Sequence, residues 1–138
     1  MKNILHTLED IHSRTFVVAL EAIGMDEILR DEDEFTVFAP TDAAFTELSK
    51  EILEDLIGDK ATLAALVKYH IAPVRLRTSD LGLVDCLETL DGPDLMIEGS
   101  SDGVQVNKVW VVQPNIECHN GVIHVINSIL LPSPAAVL

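Results

Sequence analysis

The stretch Phe35-Thr36-Val37-Phe38-Ala39-Pro40-Thr41-Asp42-Ala43-Ala44-Phe45 constrains the fold more than any other part of this chain. It opens as an apolar run of aromatic and β-branched residues, the composition of a buried strand. Pro40 ends that strand, because proline has no N–H to give to a ladder. Thr41 can then accept a backbone N–H of the following turn as a helix N-cap, and Asp42 sets a negative charge at the positive end of the helix. The expected result is a strand-to-helix corner that holds Phe35 or Val37, Phe38 and Phe45 in fixed relation.

Before the corner the pattern is helical. Asn3 is placed to cap a helix bearing Ile4, Leu5, Leu8 and Ile11 on one face. A second helix from about Arg14 carries Phe16, Val17, Leu20 and Ile23, with Gly24 as its left-handed C-terminal cap. Met25 to Leu29 reads as a short apolar turn. Asp31-Glu32-Asp33-Glu34 lacks the ligand spacing and turn glycine of a calcium loop and reads as solvated. After the corner, Leu53, Leu56 and Ile57 mark a helix that Gly58 ends. Asp59 caps the next, whose core face is Leu63, Leu66 and Val67. That helix runs into Tyr69-His70-Ile71-Ala72-Pro73, and Val74 to Arg77 leaves as an extended segment.

From Leu83 onward short apolar segments alternate with turn residues: Asp91-Gly92, Gly99 to Gly103, Asn107-Lys108, and Asn120-Gly121. Asn-Gly and Asp-Gly favour hairpin turns because both positions tolerate positive φ. An antiparallel meander follows, in which Val109-Trp110-Val111-Val112 and Val122 to Ile126, apolar on both alternating faces, are expected to be central strands covered on both sides. Helices first and strands later give an α+β layout.

With 138 residues, 48% of them hydrophobic, the chain suits one globular domain with a core of its own. Its 23 acidic residues against 9 basic ones give a net charge of -14, which repels phosphate backbones and anionic headgroups. Nucleic-acid binding and direct membrane insertion are therefore not expected, while a cationic partner is compatible. No targeting segment is visible in Met1 to His6, which leaves a cytoplasmic chain and a processed, exported one both open. Cys86 and Cys118 lie far apart in sequence; a disulfide and two buried, inert thiols are both open.

Three phrases stand together in order: Phe35 to Phe45 as written above, Tyr69-His70 followed by Ile71-Ala72-Pro73, and Asn120-Gly121-Val122-Ile123-His124-Val125-Ile126-Asn127 leading to Leu130-Leu131-Pro132. As an ordered set, spanning about Ile4 to Pro132, they resemble the fasciclin-like domain, with Asn127 standing where the family often has Asp. The resemblance implies an α+β fasciclin-like fold: an antiparallel β-wedge of two packed sheets with N-terminal helices against it. The domain would occupy residues 1–132 and a tail 133–138. The resemblance also implies a non-enzymatic adhesion or protein-interaction module at the cell surface or outside the cell, with no cofactor and an unidentified protein or cell-surface ligand. In animal members the region matching Tyr69-His70 is implicated in receptor recognition.

The residues themselves admit other chemistry, weighed as follows. Asp42, His70 and one of Thr41, Ser79 or Ser128 could be assembled into a nucleophile triad, but no nucleophile-elbow motif supports it. Cys118, His119 and His124 do not space as zinc ligands do, so no metal is expected. His124, inside an apolar strand, is expected to bond a backbone carbonyl or a polar neighbour. Tyr69 and His70 have two readings: a contact surface for a partner, or Tyr69 in the core and His70 bonded across to the Thr41-Asp42 corner. Arg75 and Arg77, with Lys68, form the concentrated basic region, a candidate docking face for an acidic patch, including one on a second copy. Trp110 is expected to fill a core or sheet surface. Tyr69, His70, Arg75 and Arg77 are thus the candidate partner contacts, and Thr41, Asp42, His70, Asn120, Gly121 and His124 the candidate scaffold. The alternative function is a small-molecule or metal-binding protein with a pocket between sheet and helices.

Overall fold

The computed structural model describes residues 4–10, 14–24, 34–46, 58–81, 83, 85–90, 94–100 and 103–130. Outside them lie the Asn3 cap, Ile11, the Met25 to Leu29 turn, Asp31 to Asp33, the helix marked by Leu53, Leu56 and Ile57, the Asp91-Gly92 turn and the 133–138 tail. The side chains of Leu5 and Phe45 are also outside the description.

Two helices, α1 (Ile4–Asp10) and α2 (Arg14–Ala22), precede strand β1 (Phe35–Pro40) and the one-turn helix α3 (Asp42–Thr46). Helix α4 (Lys60–Tyr69), strand β2 (Ile71–Ala72) and the short helix α5 (Thr78–Leu81) follow. Strands β3 (Cys86–Leu87), β4 (Leu95–Ser100), β5 (Gly103–Val106), β6 (Val109–Cys118) and β7 (Gly121–Ile126) complete the chain. The seven strands form one ladder in the order β2-β1-β7-β6-β5-β4-β3. Beyond β3 the chain returns to the other edge, where the Leu90 N–H donates to Ile71 O of β2 at 3.0 Å.

β1 and β7 lie side by side in it, buried at every position. Their alternating residues feed two cores. Phe35, Val37, Ala39, Ile123 and Val125 pack with Ile4, Leu8, Phe16, Leu20 and Val67 of the helices. Phe38 and Ile126, on the other face, pack with Leu87, Leu95, Ile97, Val104 and Val106. The ladder therefore curls until its β3–β5 end covers the face of β1 and β7 that the helices leave bare. Strands buried on both faces are the kind found in parallel pairs, and β1 pairs parallel with β7, Phe38 opposite His124.

That pair corrects the expected antiparallel arrangement: the sheet is mixed, and its strands run as a continuous ladder. The long chain between β1 and β7 leaves them free to align in the same direction. A second correction concerns Val109 to Val112. Only Val109 and Val111 turn toward the core, while Trp110 and Val112 face solvent. Of the expected turns, one stands where it was placed and another shifts by one residue. Asn107 and Lys108, at φ 50 and 69, make the β5–β6 turn with both centres left-handed. The β6–β7 turn is His119-Asn120, with Gly121 already the first residue of β7.

Candidate functional site

The residues singled out from the sequence are spread along the β1–β7 pair: the Thr41 corner at its Pro40–Ile126 end, Asn120 and Gly121 at its Phe35 end, and His70 against Phe38 between them. The corner forms as its residues dictate: the Ala44 N–H donates to Thr41 Oγ1 at 3.1 Å, and the Thr41 N–H to Ile126 O at 3.2 Å. Asp42 does more than face its own helix. Its Oδ1 accepts the Thr15 N–H at 2.9 Å, so the corner also caps the first turn of α2.

Asn120 and Gly121 close the opposite side. Asn120 Oδ1 accepts the Ile4 N–H at 3.0 Å and its carbonyl accepts the Phe35 N–H at 3.1 Å. A Cβ on Gly121 would lie 2.0 Å from Phe35 O, so only glycine admits this approach of β7 to β1.

Tyr69 and His70 are 2% and 1% exposed, which removes both as direct partner contacts. Tyr69 turns into the second core, and its hydroxyl accepts from Asn107 Nδ2 at 2.8 Å, tying α4 to the β5–β6 turn. His70 does not reach across to Thr41 or Asp42 as the sequence suggested. Its Nε2 lies 2.9 Å from the Leu130 N–H, which can only donate. Nδ1 therefore carries the proton and donates to Leu66 O at 2.7 Å. The ring meets Phe16 edge-on at a centroid distance of 5.7 Å. Burial pulls its pKa down to about 4, against the opposing effect of the Leu66 carbonyl.

His124 holds the mirror tautomer. Nδ1 accepts the Asn115 N–H at 3.1 Å, and Nε2 donates to Leu76 O at 2.8 Å. It stacks on Phe38, and burial lowers its pKa as well. Thr36, which the sequence reading passed over as one residue of an apolar strand, works beside it. Its hydroxyl donates to Val74 O at 2.6 Å and accepts the Leu76 N–H at 2.7 Å. Together these two side chains fasten the extended segment after Pro73 to the sheet.

The two arginines of the basic region are paired within the chain. Arg75 and Arg77 both pair with Glu117 Oε1 on β6, and Arg75 also lies 4.0 Å from Glu34. A β-strand acid so far along the chain left no local signal of this pairing. Both cysteines are free; Cys118 is buried, which raises its thiol pKa, but Cys86 is exposed, contrary to the reading of two buried thiols. Among the described residues no three His, Cys, Asp or Glu side chains converge on a metal position. The gap beside His70, bounded by Phe16, Leu63, Leu66, Val67 and Ile129, measures about 10 Å³, room for little more than one water. That is far below a ligand pocket.

The comparisons agree with this geometry. The fasciclin domain model matches residues 12–132. An uncharacterized protein of Synechocystis, sll1735, is 32% identical over 95% of this chain and 98% of its own length. Human periostin is 38% identical over 84% of this chain, which spans 13% of periostin. Pig transforming growth factor-beta-induced protein ig-h3 is 36% identical over 84% of this chain and 17% of its own. In structure, a FAS1 domain pair from the insect cell adhesion molecule fasciclin I aligns with a TM-score of 0.81 at 22% identity, over 99% of this chain and 53% of that one. The family match runs through the strand-to-helix corner, the buried histidines and the last hairpin alike, and the chain belongs to the fasciclin domain family.

Proposed function

We propose that this chain is a non-enzymatic protein-interaction module of cell-surface or extracellular adhesion, one domain over residues 1–132 that needs no cofactor. The observation that carries the reading is the state of the two interior histidines. Each spends both ring nitrogens on main-chain groups, so neither is left to move a proton for a substrate. The fold relationship to an insect cell adhesion molecule points the same way. Within this reading Tyr69 and His70 act from inside, holding α4 to the sheet. Contact with a partner then falls to exposed groups.

Beads coated with the folded chain should adhere to the cells that produce it, saturably and in competition with free protein. Adhesion no greater than that of beads coated with the acid-unfolded chain would defeat the proposal.

A further inference from the structure

Among the described residues, nothing covers one surface of the sheet. Along β4, Leu95 and Ile97 point into the core while Met96 and Glu98 point out, and the exposed Asp94 directly precedes the strand. Register puts Glu98 beside Gln105 of β5 and Gln105 beside Trp110 of β6, and Cys86 beside Met96. The outward residues therefore form one face of Met96, Trp110 and Val112, respectively 58%, 39% and 52% exposed, rimmed by Asp94, Glu98 and the exposed Glu88. The Trp110 ring lies over Gly103, where a Cβ would sit 3.6 Å from it, so the indole is held against the sheet. Among the described residues the cation on this face is Lys108, bound to Glu98 at 2.8 Å.

We propose that this face docks an extended segment of a partner protein whose residues alternate as cation, apolar, cation at every second position. Side chains on one face of a strand repeat about every 7 Å, and Asp94, Met96 and Glu98 set out acid, apolar, acid at that interval. An extended segment laid along β4 with the opposite pattern would cover Met96, pair Asp94 and take the place of Lys108 on Glu98. Two strands from Glu98, across Gln105, the Trp110 indole adds a surface that attracts guanidinium and ammonium groups. A second copy of this chain does not supply the complement: its net charge is -14, and nowhere does its sequence set two cations four residues apart around an apolar residue. The proposal rests on the interaction-module reading and gives it a partner chemistry.

Trp110 is the chain's only tryptophan, so its emission reports on this face alone. The probe is the capped peptide Ser-Arg-Ser-Leu-Ser-Arg-Ser, titrated into the full chain at physiological salt. Its isomer Ser-Ser-Leu-Arg-Arg-Ser-Ser has the same charge and composition without the spacing. The patterned peptide should shift Trp110 emission and bind about fivefold tighter than the isomer, a difference of about 1 kcal/mol. Asp94→Asn with Glu98→Gln should erase that preference, whereas Glu21→Gln on α2 should leave it. Urea unfolding of each variant confirms that it is folded. Equal binding of the isomers would reduce the effect to bulk charge and overturn the proposal, as would unchanged Trp110 emission. Sedimentation showing a dimer that Met96→Ser abolishes would assign the face to a second copy and overturn it too. The bead assay separates the two proposals. Adhesion that survives Asp94→Asn with Glu98→Gln rejects the docking face and keeps the module, whereas patterned peptide binding without bead adhesion keeps the face and rejects the module.

Discussion

The two ends of the curled sheet are built on different principles. At the β1–β7 end both faces are covered, and polar groups that enter, Thr36, His70, Asn120 and His124, are buried with their bonding atoms on main-chain partners. At the β3–β6 end one face joins the core and the other carries Met96, Trp110 and Val112 into solvent. Interior polar groups that are all satisfied specify a single arrangement but tolerate little change. An uncovered face costs little to alter. Stability and recognition are thus divided between the ends.

The sharpest way to break this comparison is with glycine. Gly121→Ala should cost about 4 kcal/mol or more in urea unfolding, because its Cβ would run into the Phe35 carbonyl with backbone on both sides. Gly103→Ala, at φ +138 but with only the Trp110 ring 3.6 Å away, should cost about 1 kcal/mol. Equal costs would end the distinction.

His70→Ala comes next, at about 3 kcal/mol, since it strands the Leu66 carbonyl and the Leu130 N–H and opens a hole against Phe16. The same residue gives the covered end an acid dependence. Its pKa is about 4 in the fold against an ordinary 6.5, so the unfolded chain binds the proton more readily. The stabilisation is complete above about pH 6.5 and drains away as the pH falls toward 4, and His124 acts in the same direction. A difference curve between the native chain and His70→Ala should converge across that window. Parallel curves would remove the histidine from the account.

Thr41→Ala should cost about 1 kcal/mol through loss of the cap on α3. Smallest of all, Met96→Ser should change stability by no more than about 0.5 kcal/mol, as expected of a surface position. A larger loss would mean that the outer face is structural after all.

Much of the covered end could be read from residue order. The strand through Pro40, the Thr41 cap, the Asp59 cap on α4, the Gly24 stop and the paired state of His124 all follow from local chemistry, and each is found. The misreadings share a cause. Tyr69-His70 admitted both a surface and a core reading, because an amphipathic side chain at a helix end is compatible with either side, and the fold takes the core one. Arg75 and Arg77 read as a candidate docking face because their acid, Glu117, stands at a distant point of the chain. Val109 to Val112 looked covered because apolar composition does not say how many faces a sheet has buried.

What this sequence settled unaided is short-range: where backbone donors lose a ladder partner, where a hydroxyl or carboxylate replaces it, and which positions need glycine's freedom. Those interactions span a few residues, so order alone encodes them. Only the folded chain decided that β7 lies parallel to β1, that Asn120 holds the first turn of α1, and that Met96, Trp110 and Val112 turn outward. Each depends on which distant segments become neighbours, a choice made by the summed burial of both cores and by no single stretch.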